Sequence, residues 1–160
     1  SRFSWSDYVG YFSVYFLCIN GCKIHDARYK ERGYIFKTLD MSYNKLDIYN
    51  LSFELFIETH RLSFRLPKYE LYELGSQLRR SSDSVNSNIV EGYGRRSYKA
   101  DYIRFLVFSH SSCDETTNHI LKITRLYPDI VEFNDILEKY KLLGGKLHNY
   151  IEYVKANWRA

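Results

Sequence analysis

Between residues 46 and 64, Leu46, Tyr49, Phe53, Phe56, His60 and Phe64 recur at steps of three and four. That rhythm places them on one helical face and predicts a helix from about Asn44 to Phe64. Ser42 or Asn44 is the expected cap, and Pro67 the stop, because the residue before a proline avoids the helical region. Leu51, Leu55 and Leu62 form a second apolar stripe on the same segment. One stripe is enough for a bundle helix, so a second predicts contact beyond its own core.

A second helix is predicted from about Lys68 to Gly92, with Leu71, Leu74, Leu78, Val85 and Ile89 on its apolar face. Ser81 or Ser82, and Asn88, interrupt that face. Small residues on a seam allow close approach, and a buried Asn88 needs a hydrogen-bond partner and would fix register. Gly92 and Gly94 are expected to turn the corner with positive-φ backbone. A third helix then starts near Ser97 as N-cap, with Asp101 in its first turn, and runs about thirty residues, or ~45 Å, to Pro128. Its buried side is read as Tyr102, Phe105, Leu106, Cys113, Ile120, Ile123 and Tyr127. A fourth opens with Asp129 as cap and Glu132 at capping-box spacing. It continues through Phe133, Leu137, Tyr140, Gly144, Leu147, Ile151, Val154 and Trp158. Gly144 and Gly145 are expected to permit a close neighbour or a bend, since each costs about 1 kcal/mol of helix propensity relative to Ala.

Short connections make consecutive helices antiparallel. The expectation is an all-α, up-down-up-down antiparallel four-helix bundle over residues 41–160. Residues 1–40 differ: they are rich in Phe and Tyr, lack helical periodicity, and precede Met41, the single methionine of the chain. They read as an upstream-translated or non-native extension, poorly structured. A secretion-signal reading of Tyr11 to Ile19 has neither the basic start nor the small residues before Cys22.

At 160 residues the chain fits one domain that can fold without metal or disulfide. Aromatic residues reach 18%, and buried tyrosines need hydroxyl partners, so many rings belong at boundaries or interfaces. Cys18, Cys22 and Cys113 do not make a disulfide framework; a reducing, cytoplasmic setting fits. No apolar run reaches the ~20 residues of a membrane-spanning helix. The formal charge of +4 matters less than where the cations cluster.

They cluster at the predicted corner: Arg79, Arg80, Arg95, Arg96, Lys99 and Arg104. Guanidinium groups pair with phosphate in bidentate fashion, and Tyr93 and Tyr98 can stack on bases. The competing reading gives these cations to Asp83, Glu91 and Asp101, or to contacts between subunits. Glu91 at a helix C-terminus opposes the dipole and needs a partner, with Arg95 or Arg104 nearest. Glu115 is expected to pair across the bundle with Arg79 or Arg80. No His-x-x-x-His or Glu-x-x-His pair supports a metal; Glu115 and His119 have the wrong spacing. Gly92-Tyr93-Gly94 is a helix corner and not a phosphate loop after a strand. No catalytic residue, cofactor or small-molecule substrate is indicated.

The run Asn88-Ile89-Val90-Glu91-Gly92-Tyr93-Gly94-Arg95 is the most specific stretch. With Leu66-Pro67, Glu70, Leu74, Gln77 to Ser81, Ser84-Val85, Ser97, Tyr102 to Leu106, Ser112 and Glu115, it resembles the four-helix-bundle proteins of the 23S rRNA intervening-sequence family. The likeness covers roughly Leu46 to Tyr153. It extends to the accessory variability determinant protein of diversity-generating retroelements, which forms a pentameric barrel and works with a reverse transcriptase and RNA. The resemblance implies a homo-oligomer, a pentamer by that comparison, with RNA or a reverse-transcriptase-like protein as partner. Asn88, Glu91, Gly92, Gly94, Ser97 and Glu115 are then structural motif positions. The alternative is a purely structural self-assembly protein with no nucleic-acid ligand. A remote alternative is a helical ribonuclease, because Arg104 and His110 resemble the Arg-x(4–6)-His element of ribonuclease toxins of the higher-eukaryote-and-prokaryote nucleotide-binding class. Six residues place those two side chains about 120° apart around the helix.

Overall fold

A computed structural model of the chain describes residues 42–157; the expectation for residues 1–40 and the place of Trp158 lie outside them. A 3-10 turn, Ser42–Lys45, leads into helix α1 (Asp47–Ser63). A second 3-10 turn, Lys68–Leu71, precedes α2 (Leu74–Gly94), followed by α3 (Lys99–Leu126) and α4 (Glu132–Asn157). Each helix packs on the next, and α4 returns to α1. Partners run in opposite directions at every seam. Ser81 meets Thr116 while Ser84 meets Ser112 between α2 and α3. Asp47 meets Lys146 and Arg65 meets Glu132 between α1 and α4. Residues 42–157 form an all-α, up-down-up-down antiparallel four-helix bundle.

The core is mostly aliphatic, with Leu55, Leu78, Val85, Ile89, Leu106, Ile120, Leu143 and Leu147 almost fully buried around the rings of Tyr102, Phe133 and Tyr140. Each such side chain stabilises by about 1.5–3 kcal/mol relative to exposure. Small polar residues are buried with it, and their hydroxyls are satisfied. Ser109 donates to the Val85 carbonyl at 2.7 Å, Thr116 donates to Ser81 Oγ at 3.0 Å, and Thr59 and Tyr140 share a hydrogen bond of 3.2 Å.

On α1 the two stripes exchange roles. Ile48, Ser52, Leu55, Thr59, Leu62 and Ser63 are buried, so the leucine stripe is the core. The aromatic stripe faces outward, with Phe53 and Phe64 exposed. Its rings touch along the helix: Tyr49–Phe53 at 6.1 Å, Phe56–His60 at 5.8 Å and His60–Phe64 at 5.2 Å. Ring size favoured the wrong face, because Ser52 and Thr59 are small enough to let neighbouring backbones close in.

The helix ends also differ from expectation. Residues 42–45 are spent in the 3-10 turn, so Leu46 is the N-cap of α1 and offers no side-chain bond. The Asn44 carbonyl instead accepts from Asn50 Nδ2 at 3.0 Å. At α2, the Glu70 carboxylate accepts the Leu74 N–H at 3.2 Å and splits the predicted helix into a turn and a helix. Tyr98, not Ser97, caps α3, because the Tyr98 N–H is tied to the Arg95 carbonyl at 2.9 Å. α4 starts only at Glu132; Asp129 stays in a turn held by the Ile130 N–H on the Tyr127 carbonyl at 3.1 Å. α4 passes Gly144 and Gly145 without interruption. A Cβ at Gly144 would sit 3.8 Å from Cys113 Sγ, and one at Gly145 would meet nothing within 4 Å.

Candidate nucleic-acid interface

The corner lies one turn later than the glycines. α2 runs through Gly94, and Arg95 to Tyr98 make the turn. Neither glycine has left-handed backbone. Gly92 is required for closeness instead, since a Cβ there would stand 2.8 Å from Phe105 Cβ and 3.3 Å from Tyr102 Cδ2. Gly94 faces open space.

Four of the six predicted cations gather at this turn. Arg95 and Arg104 lie over the same Phe105 ring, at 4.9 and 5.8 Å from its centroid. Arg95 also pairs with Glu91 at 2.8 Å, and Arg104 with Asp101 at 3.0 Å. Arg96 lies 4.3 Å over the Tyr93 ring and donates to the Tyr93 carbonyl at 3.0 Å. Lys99 Nζ donates to the Lys155 carbonyl at 2.7 Å, which ties the start of α3 to the last turn of α4. Tyr98 is 72% exposed beside them.

Arg79 and Arg80 are not part of this patch. Fifteen or sixteen residues of helix separate them from Arg95, which is roughly 20 Å or more. Arg79 is a structural brace: it donates to Ser63 Oγ at 3.0 Å and to the Leu71 carbonyl at 2.6 Å, over the Phe64 ring at 5.4 Å. Arg80 is exposed and has no ion pair with a described residue. Glu115 does not reach either arginine. Its Oε1 lies 3.5 Å from Nε2 of His119 on its own helix, and the buried His119 ring has no hydrogen-bond partner at either nitrogen. Asn88 is half-buried and donates to the Ser84 carbonyl at 2.7 Å and to Ser84 Oγ at 3.0 Å. Ser84 in turn meets Ser112 at 3.0 Å, so Asn88 anchors the α2–α3 seam. Ser97 is exposed and caps nothing.

The antiparallel topology adds residues that the linear sequence had kept apart. The first turn of α1 and the last turns of α4 lie at the same end as the corner. This end carries Lys45, Arg95, Arg96, Lys99, Arg104, Lys146 and Lys155 against Asp47, Glu91, Asp101 and Glu152. It therefore has a surplus of three cations, while the remainder of the described bundle is slightly acidic. Aromatic rings link its helices: Tyr43–Tyr93 at 6.3 Å, Tyr93–Tyr102 at 6.2 Å, Tyr102–Tyr150 at 6.4 Å and Tyr150–Tyr153 at 6.2 Å. Only up-down topology, not periodicity, could have exposed this grouping.

Burial, then the hydroxyl bond with Tyr150 at 2.9 Å, holds Tyr102 far above the ordinary tyrosine range. Burial pushes the Cys113 thiol up to about 12, which leaves it uncharged and unreactive. The Lys155 hydrogen bond holds Glu152 below the usual carboxylate range. Arg104 and His110 have different partners: His110 Nδ1 is 3.4 Å from Asp114, and its ring lies 6.3 Å from that of His148 on α4. Among the described residues no three His, Cys, Asp or Glu side chains stand close enough to hold a metal ion. No described helix is long and apolar enough to cross a membrane.

The sequence of residues 44–149 matches the family model described as 23S rRNA-intervening sequence protein. The match spans α1, α2, α3 and most of α4. No curated protein matches the chain.

Proposed function

The chain belongs to the 23S rRNA-intervening sequence protein family, and from that premise we propose that it is a non-enzymatic, cytoplasmic assembly protein that engages RNA through its α2–α3 corner. The observation that carries this reading is the pair of guanidinium groups on one ring, Arg95 and Arg104 over Phe105. Their ion pairs with Glu91 and Asp101 are half-exposed and lie within one helical turn. Such pairs contribute about 0–1 kcal/mol, so a phosphate can replace the carboxylate at little loss. The ring beneath holds both side chains in place, which lowers the entropy cost of binding. Arg96 and Lys99 extend the surface along the turn.

Assembly is assigned to the outward aromatic stripe of α1. Phe53 and Phe64 are exposed and Phe56 and His60 half-buried along one outward row, with only Arg79 reaching over Phe64, and rows of this kind mark protein contacts. A homo-oligomer that repeats the corner would multiply its affinity for a long polyanion.

A scaffold without nucleic acid is the second reading. It is favoured by the hydrogen bonds and ion pairs that already engage each of the four corner cations within one protomer. Light scattering and RNA titration at several salt concentrations separate the two. RNA affinity that falls steeply with salt, and weakens in Arg95→Ala and Arg96→Ala with the oligomer intact, supports the corner. An oligomer that breaks in those variants and never binds RNA supports the scaffold.

A further inference from the structure

An open groove of about 390 Å³ lies at the corner end of the bundle, between the start of α1 and the last turns of α4. Lys45, Asp47, Lys146, Asn149, Tyr150 and Tyr153 line it. We infer that this groove seats an unpaired nucleobase, so that the RNA taken by the corner is single-stranded. The inference rests on the corner reading for its phosphate contacts.

The groove offers a fixed aromatic platform. The Tyr150 and Tyr153 rings are stacked, 24° from parallel. The Tyr150 hydroxyl is held by that of Tyr102 at 2.9 Å, and Tyr102 is fully buried. One ring of the pair is therefore rigid, and the other, Tyr153, is 55% exposed. Two near-parallel rings, offset at 6.2 Å between centroids with one held and one exposed, are an arrangement on which a base can stack, and stacking tolerates any base because each has a π-face. Beside it, Asn149 is exposed and its side-chain amide makes no hydrogen bond to a described residue, so the amide presents both a donor and an acceptor to a base edge.

Charge says what the occupant is. The groove opens on the end of the bundle that holds the cation surplus, and the Tyr150, Tyr102 and Tyr93 rings lead from it to Arg96. An apolar peptide would use the rings but not the cations. A duplex would use the cations but not the rings, because its base faces are stacked inside the helix. A single strand uses both.

The test is fluorescence anisotropy on the whole chain with a short labelled single-stranded RNA and with the blunt duplex of the same sequence. Binding of the single strand about tenfold tighter than the duplex is expected. Tyr153→Ala should weaken the single strand about tenfold and leave the duplex unchanged, while Tyr153→Phe keeps the affinity. Equal affinity for strand and duplex, or an unaltered Tyr153→Ala, overturns the groove and leaves the corner standing. Binding that depends on Tyr153 but not on Arg96 overturns the corner and leaves the groove. No binding of either RNA overturns both. Tyr153 is exposed, and thermal melting of each variant confirms that the bundle is intact.

Discussion

Gly92 and Phe105 stand so close that a methyl group on the first would come within 2.8 Å of the Cβ of the second. This contact sets the spacing of α2 and α3 at the corner, where Phe105 carries two guanidinium groups. Gly92→Ala is expected to destabilise the bundle by about 1–3 kcal/mol through overpacking, despite the gain in helix propensity. Gly94→Ala is the control, because a Cβ there meets nothing within 4 Å. It should be neutral or stabilise by up to about 1 kcal/mol. Urea unfolding of the two variants measures the difference.

Arg79 braces the start of α2 against the end of α1 by donating in two directions. Arg79→Lys keeps the charge but loses the planar fork. A cost of about 1.5–3 kcal/mol in denaturant unfolding is expected, the size of a charge-assisted hydrogen bond to a buried or half-buried acceptor. RNA affinity should not change, since this arginine lies at the far end of α2.

At the corner, Arg95→Ala and Arg96→Ala should weaken single-stranded RNA uniformly across sequences. Each lost phosphate contact should reduce the slope of log affinity against log salt by about 0.7. A titration at three or more salt concentrations reads that slope directly.

The ion pair of Arg65 with Glu132 joins the end of α1 to the start of α4. Its own backbone N–H, and then Arg65, hold the Glu132 carboxyl below the ordinary carboxylate range. A depressed value means that the folded state binds the proton less tightly than the unfolded chain. The contribution is therefore present above the unfolded value, near pH 4.3, and is lost as pH falls through the folded value. Thermal melts of Arg65→Ala and the parent chain should differ at pH 7 and converge as the pH falls through the depressed folded value of Glu132.

Cys113 has the opposite sign. Burial raises its thiol to about 12, so the folded chain holds the proton more tightly, and stability falls as pH rises above the unfolded thiol value near 8.5. At pH 8.5 iodoacetamide should leave Cys113 unmodified in the native protein and label it in urea, as read by peptide mass spectrometry.

The bundle was legible because its apolar rhythm is long and its breaks are clear. Pro67 and Pro128 both fall outside the α-helices, and Leu78, Ile89, Leu106, Ile120, Ile123, Leu137, Leu147 and Ile151 of the expected faces occupy the core. What failed to show was which of two stripes a bundle would bury. On α1 the larger rings lost to Ser52 and Thr59, because backbone approach at a seam rewards small volume more than apolar area. On α3, Ser109 and Thr116 are buried for the same reason, and hydrophobicity does not mark them; the burial of His119 has no such explanation. The corner cations were visible as a cluster in the sequence. Their division into a four-member patch and the remote Arg79 and Arg80 was not, because Gly92 marks a close contact and the bend comes only after Gly94. Tyr150, Tyr153 and Lys155 come from the far end of the chain, and only folding brings them to the site.

The hydroxyl ladder between α2 and α3 has a bearing on how copies of this chain could exchange parts. Ser84 with Ser112, Ser81 with Thr116 and Ser109 with the Val85 carbonyl work like the teeth of a ratchet. A slip by one turn would part the buried Ser81, Ser109 and Thr116 from these partners, at about 1–3 kcal/mol for each group left unpaired. The α2–α3 hairpin is thus a single-register cartridge, and any swap between protomers must move it whole, with the corner and its arginines aboard.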